Sequence, residues 1–178
     1  MTASLFSYFY QAQKFGAYAP LVIKFFGEYL PYVLAAGLLI YLLFYHSRRF
    51  DFKRRLFIVA SALLSSVLAY MGVLVLHAIY YSPRPFASLP DIKPLIETGK
   101  AIESFPSVHA TVFFAMALFL YFYHKRLGIA YLVGALAIGV ARIIAGVHWP
   151  SDVALGALLG MAGALVIRWF TLSIKRNL

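Results

Sequence analysis

Long apolar runs recur along almost the whole chain, and no other feature restricts its folding so severely. Five of them, residues 29–45, 56–81, 105–123, 127–147 and 150–172, approach or exceed the ~20 helical residues that cross a hydrocarbon core. The runs are continuous rather than alternating, which selects helices over strands. A soluble domain of 178 residues, 63% hydrophobic and 12% charged, could not hide so much apolar surface from water, so its solvent is largely lipid. The expected fold is all-α, a polytopic membrane bundle of about five transmembrane helices forming a single domain over residues 1–178. No repeat, low-complexity tract or polar linker marks a second domain. There are no cysteines, which removes disulfides and thiolate metal sites.

Residues 1–28 read differently. Phe6, Phe9, Phe15, Leu21, Val22, Phe25 and Phe26 are interrupted by Gln11, Gln13, Lys14, Pro20 and Lys24, the mixture expected of an amphipathic helix lying in the membrane interface. No basic cluster precedes this stretch and no small-residue cleavage site is evident, so a cleaved signal peptide is not expected.

The net charge of +10 is distributed as a topology signal rather than as a nucleic-acid footprint, and no nucleic-acid partner is expected. Arg48, Arg49, Lys53, Arg54 and Arg55 join the first two spans, Lys125 and Arg126 the third and fourth, and Lys175 and Arg176 close the chain. Basic residues concentrate on the cytoplasmic side, so residues 82–104 and the junction around His148 face outward. Gly156 and Gly160 form a Gly-x-x-x-Gly pair in the last span, expected to make a close helix contact.

The unusual polar residues stand at the outward ends of the spans: His77 with Arg84, then Pro106-Ser107-Val108-His109, then Arg142 with His148 and Asp152. Each is costly near lipid unless it serves a site. Pro106 suits the first position of a helix, which would put Ser107, Val108 and His109 in a first turn whose free amides attract anions. Arg84 and Arg142 add planar, permanently charged forks that match phosphate oxygens. His148 and Asp152 are four residues apart, so a carboxylate can hold one ring nitrogen and leave the other free to attack phosphorus. His109 can then protonate the leaving oxygen. His77 and Arg84, seven residues apart, stack toward the same site if the helix continues that far.

These residues resemble the signature of the type-2 phosphatidic acid phosphatase superfamily: Lys, six residues, Arg-Pro; then Pro-Ser-Gly-His; then Ser-Arg, five residues, His, three residues, Asp. Here the motifs read His77 through Arg84-Pro85, Pro106-Ser107-Val108-His109, and Ala141-Arg142 through His148 to Asp152, with matching spacings. The resemblance implies that Arg84, Arg142 and Ser107 bind the phosphoryl oxygens. It also implies that His148 becomes a phosphohistidine, that Asp152 orients it and that His109 is the acid. No metal or other cofactor is implied. His77 stands in place of Lys, Val108 of Gly and Ala141 of Ser. Val108 still offers its backbone amide, whereas His77 exchanges a permanent charge for one that titrates.

The function expected is therefore metal-independent hydrolysis of a lipid phosphate or diphosphate in the bilayer, at the outer face of a bacterial inner membrane. Lipid A 1-phosphate, undecaprenyl diphosphate and phosphatidylglycerophosphate are the substrates such a site would meet. A phosphotransferase that discharges the same phosphohistidine to a lipid, or a lipid-binding protein without activity, are the alternatives.

Overall fold

The computed structural model describes residues 2–45 and 51–176, and over them the chain is a helical bundle. In chain order the helices are α1 (Thr2–Tyr10), α2 (Ala19–Lys24), α3 (Leu30–Phe44), α4 (Phe52–Ile79), the single turn α5 (Pro85–Ser88), α6 (Val108–Tyr123), α7 (Lys125–Ile144) and α8 (Pro150–Arg176). Four rods are long and apolar enough to cross a membrane, Ala19–Phe44, Phe52–Ile79, Lys125–Ile144 and Pro150–Ser173, and Val108–Tyr123 is a shorter apolar helix. The protein is a multi-pass membrane protein. Large apolar side chains such as Leu64, Val67, Val75, Val133, Leu158 and Leu165 point outward, as a lipid solvent permits.

The first rod corrects the expectation for residues 1–28. α2 and α3 are joined through a π-turn at Phe25–Tyr29 into one helix, so residues 19–28 form the first part of a candidate span rather than a separate surface helix. Lys24 broke the apolar pattern, but at helical spacing its charged end lies 3.9 Å from that of Glu28 and the helix carries both. Of the described residues up to Glu28, those before Ala19 stay outside the spans. It too is docked, because Phe6 is fully buried and its ring sits 5.1 Å from that of Trp149.

α6 is the central helix. Its 16 residues reach about 24 Å, less than a hydrocarbon core, but α4, α7 and α8 surround it, so it need not match the lipid. Ala110, Ala115, Ala117, Phe119 and Leu120 are completely buried. The expected close contact in the last span lies here: a Cβ on Gly160 would collide with the backbone of Thr111, and one on Gly156 would come within 2.8 Å of the Ser107 carbonyl. α8 thus lies directly against the start of α6, where the unusual polar residues gather.

The segment between α4 and α6 is strapped over that same end. Ser82 and Glu103 form an isolated parallel bridge, Ser104 N–H donates to Ser82 O at 2.9 Å, and Leu95 N–H donates to Ala145 O at 3.0 Å. Asp51 caps α4 at the opposite end, accepting from Arg54 N–H at 2.9 Å. Of the basic residues used to orient the chain, Arg48 and Arg49 lie outside the described residues.

Candidate active site

The strapped loop delivers Arg84 into the protein interior. Its backbone is the N-cap of α5 and its side chain is only 6% exposed. The guanidinium donates from Nε to Lys100 O at 3.0 Å, from Nη2 to Glu103 O at 3.0 Å and from Nη1 to Val147 O at 2.8 Å. Three carbonyls from two segments therefore fix one planar fork. Burial lowers the pKa of Arg84 from its ordinary value, and Asp152 and Glu103 oppose that shift.

His148 lies between α7 and α8 and is 2% exposed. Its Nδ1 is 3.0 Å from Ser104 O, and a carbonyl oxygen can only accept, so Nδ1 carries the proton in the neutral ring. The lone pair then belongs to Nε2, which faces Arg84 Nη1 at 3.1 Å. Burial pushes the imidazole well below its ordinary pKa of 6.5, and the charges of Arg142 and Arg84 push the same way. The ring is held neutral with one defined nucleophilic nitrogen.

Asp152 is also buried, but it does not hold the imidazole by itself. Its Oδ2 is 3.6 Å from His148 Nδ1, while it accepts from Ser104 Oγ at 2.5 Å and from Trp149 N–H at 2.9 Å. Ser104 is the intermediary: its carbonyl takes the imidazole proton and its hydroxyl binds the carboxylate. This residue was invisible in the sequence, since a serine in a polar loop has no spacing that ties it to α8. Ser104→Ala should leave the carbonyl contact in place but free the carboxylate from its shortest partner. The loss of a buried, charge-assisted hydrogen bond should lower kcat roughly ten- to a hundredfold with little change in KM, measured by steady-state phosphate release.

Two further expectations change in detail. α6 begins at Val108 with Ser107 as its N-cap, so Pro106 precedes the helix instead of opening it. Ser107 N–H donates to Asp152 O at 3.0 Å, and its fully buried Oγ has no partner. α4 ends at Ile79 and Tyr80 is extended, so His77 does not stack on Arg84. His77 Nε2 lies 3.2 Å from Pro106 O, and the residue lines a side cavity of about 280 Å³ with Tyr80, Tyr81 and Glu103.

The cavity that contains His109 and Arg142 is separate, about 350 Å³, and is completed by Gly27, Glu28, Tyr32, Glu97, Thr98 and Gly99. Arg142 is 5% exposed and donates from Nη1 to Gly27 O at 3.1 Å, while its Nε has no partner. Buried polar atoms are ordinarily satisfied. Here Arg142 Nε, Thr98 Oγ1 and Glu28 Oε2 have no hydrogen-bond partner in one cavity, and neither does Ser107 Oγ at the cap of the helix that bears His109. The cationic fork of Arg142, the open donors beside it and the start of the helix that bears His109 are the kinds of group that suit an oxyanion.

Residues 56–176 match the model of the PAP2 superfamily. The chain belongs to that superfamily. It is 39% identical over 150 residues to the bacitracin transport permease protein BcrC of Bacillus licheniformis, a match covering 83% of this chain and 70% of the relative. It is 46% identical over 66 residues to the putative undecaprenyl-diphosphatase YbjG of Escherichia coli, covering 36% of this chain and 33% of that one. The crystal structure of Aquifex aeolicus LpxE superposes with a TM-score of 0.76 at 27% identity, covering 93% of both chains. As a PAP2 member the chain is a phosphatase of membrane lipids, and the matched region holds Arg84, Ser107, His109, Arg142, His148 and Asp152. Gly27 and Glu28 lie outside it.

Proposed function

We propose that this PAP2 protein removes the terminal phosphate of undecaprenyl diphosphate through a phosphohistidine on His148, without a metal, at the outer face of the bacterial inner membrane. The observation that carries the mechanism is the fixed tautomer of His148, with Nδ1–H on Ser104 O and the Nε2 lone pair 3.1 Å from Arg84. An arriving phosphate draws Arg84 Nη1 onto its oxygens and uncovers that lone pair. Nε2 then forms a bond to phosphorus as the bond to the leaving oxygen breaks, and His109 supplies the proton that oxygen takes up. In the second step water attacks phosphorus, the P–N bond breaks, and His109 takes the water's proton. Arg84 and Arg142 stabilise the charge on the transferring group, the part that magnesium plays in kinases. His77, bonded to Pro106, has no part in this scheme.

The choice of lipid rests on the kinship with the putative undecaprenyl-diphosphatase. Purified protein in detergent should release phosphate fastest from undecaprenyl diphosphate in a panel that includes lipid A, phosphatidylglycerophosphate and a water-soluble ester. Chelators should leave the rate intact and vanadate should abolish it, because an oxyanion on the two arginines mimics the transition state. A requirement for magnesium, or release from none of the lipids, would overturn the assignment.

Orientation follows from the basic residues of the junctions between spans. A cysteine at Asp91, on the exposed part of the strapped loop, should react with an impermeant thiol reagent added to intact cells, and one at Lys125 should not. The reverse labelling would put the site in the cytoplasm.

A further inference from the structure

The first spanning helix reaches into the phosphate cavity by a route written in its sequence. In an α-helix the carbonyl of Gly27 would accept from the amide of residue 31, but that residue is Pro31 and has no N–H. The π-turn at Phe25–Tyr29 adds a local insertion at the same place, of the kind common at functional sites. The freed Gly27 carbonyl receives Arg142 Nη1 at 3.1 Å. Glycine eases the approach, since a Cβ there would press on the end of the Ile96 side chain at 3.2 Å. One residue later comes Glu28, which lines the cavity together with Arg142 and His109. Its Oε2 is buried without a hydrogen-bond partner. Lys24, at 3.9 Å, is beyond hydrogen-bonding distance, and its side chain is 46% exposed to solvent.

We propose that Glu28 is a positioning residue that opposes the anion held by Arg142 and thereby speeds the departure of inorganic phosphate after each turnover. This rests on the lipid-phosphatase reading of the same site. A carboxylate sharing a cavity of about 350 Å³ with a bound oxyanion weakens its binding through like-charge repulsion, which solvent screens only in part because the Glu28 side chain is 30% exposed. The penalty falls most heavily on free inorganic phosphate, which carries its whole charge within the cavity. Between turnovers the same carboxylate balances the charge of the buried Arg142. Glu97 also lines the cavity but is exposed, so water and salt screen its charge.

The test compares inhibition by inorganic phosphate in the wild type, Glu28→Gln, Glu28→Asp and Glu97→Gln, with binding of inorganic phosphate to the same detergent-solubilised proteins measured by calorimetry. Glu28→Gln should lower the inhibition constant and the dissociation constant of phosphate about fivefold or more. Glu28→Asp should stay near the wild type, and Glu97→Gln should shift less than Glu28→Gln. A purely structural role would move Glu28→Gln in the other direction, toward weaker phosphate binding. Unchanged or weakened binding in Glu28→Gln would overturn the proposal. If the wild type hydrolysed no lipid phosphate, the assigned activity would fall by itself, and the calorimetric arm would still decide the role of Glu28.

Discussion

His148→Ala is expected to reduce lipid-phosphate hydrolysis by roughly 10³–10⁴-fold, because in the proposed mechanism it removes the atom that accepts the phosphoryl group. The loss should appear in kcat, since Arg84, Arg142 and the start of α6 still bind the phosphate. It is not without structural cost, because Ser104 O and Arg84 Nη1 both lose a partner in a buried setting, worth about 1–3 kcal/mol. Thermal unfolding in detergent should therefore show a modest destabilisation, and an unfolded variant would be recognised by lost cooperativity. The pH dependence of stability has a definite sign. The folded-state pKa of His148 lies below its ordinary 6.5, so in mild acid the unfolded chain binds a proton that the folded protein refuses. Its contribution to stability is present at neutral pH and is lost as pH falls below about 6.5. Replacing His148 should flatten the acid limb of the stability profile, and an unchanged limb would show that another group causes it.

Arg84→Lys is expected to lower kcat/KM by about 10²–10³-fold, and Arg84→Ala by more. Lysine keeps a charge, but a single ammonium cannot donate at once to Lys100 O, Glu103 O and Val147 O while leaving a donor for phosphate. Those carbonyls belong to the strapped loop and to the residue before His148, so truncation unties the loop as well as the phosphate. Both the rate and the protection of the loop against proteolysis should fall together. A Lys variant with near-wild-type kcat/KM would mean that Arg84 acts only through its charge.

The spans were legible because lipid imposes a simple rule: helices whose outward faces are apolar. The rule misjudged residues 19–28, where Pro20 and Lys24 broke the pattern, yet Lys24 sits one helical turn from Glu28 at a spacing the helix accommodates. The residues proposed to handle phosphate were picked out because motif spacing in a membrane protein reports helix ends. The connections among them were not. Ser104 joins His148 to Asp152 across 44 and 48 residues of sequence, and Gly27 joins Arg142 across 115. Such contacts depend on how the loop and the first helix dock, and no local pattern encodes that. The stacking of His77 on Arg84 depended on α4 continuing through that spacing of two turns, and α4 stops at Ile79.

The central claim is that phosphorus is bonded to His148 during turnover. Rapid quenching of the enzyme with substrate labelled in its terminal phosphate, followed by peptide mapping, tests it directly. The account predicts label on the peptide containing His148, stable in alkali and lost in acid, and absent from His148→Ala. Fast phosphate release with no label on the protein, or label on another residue, would contradict it.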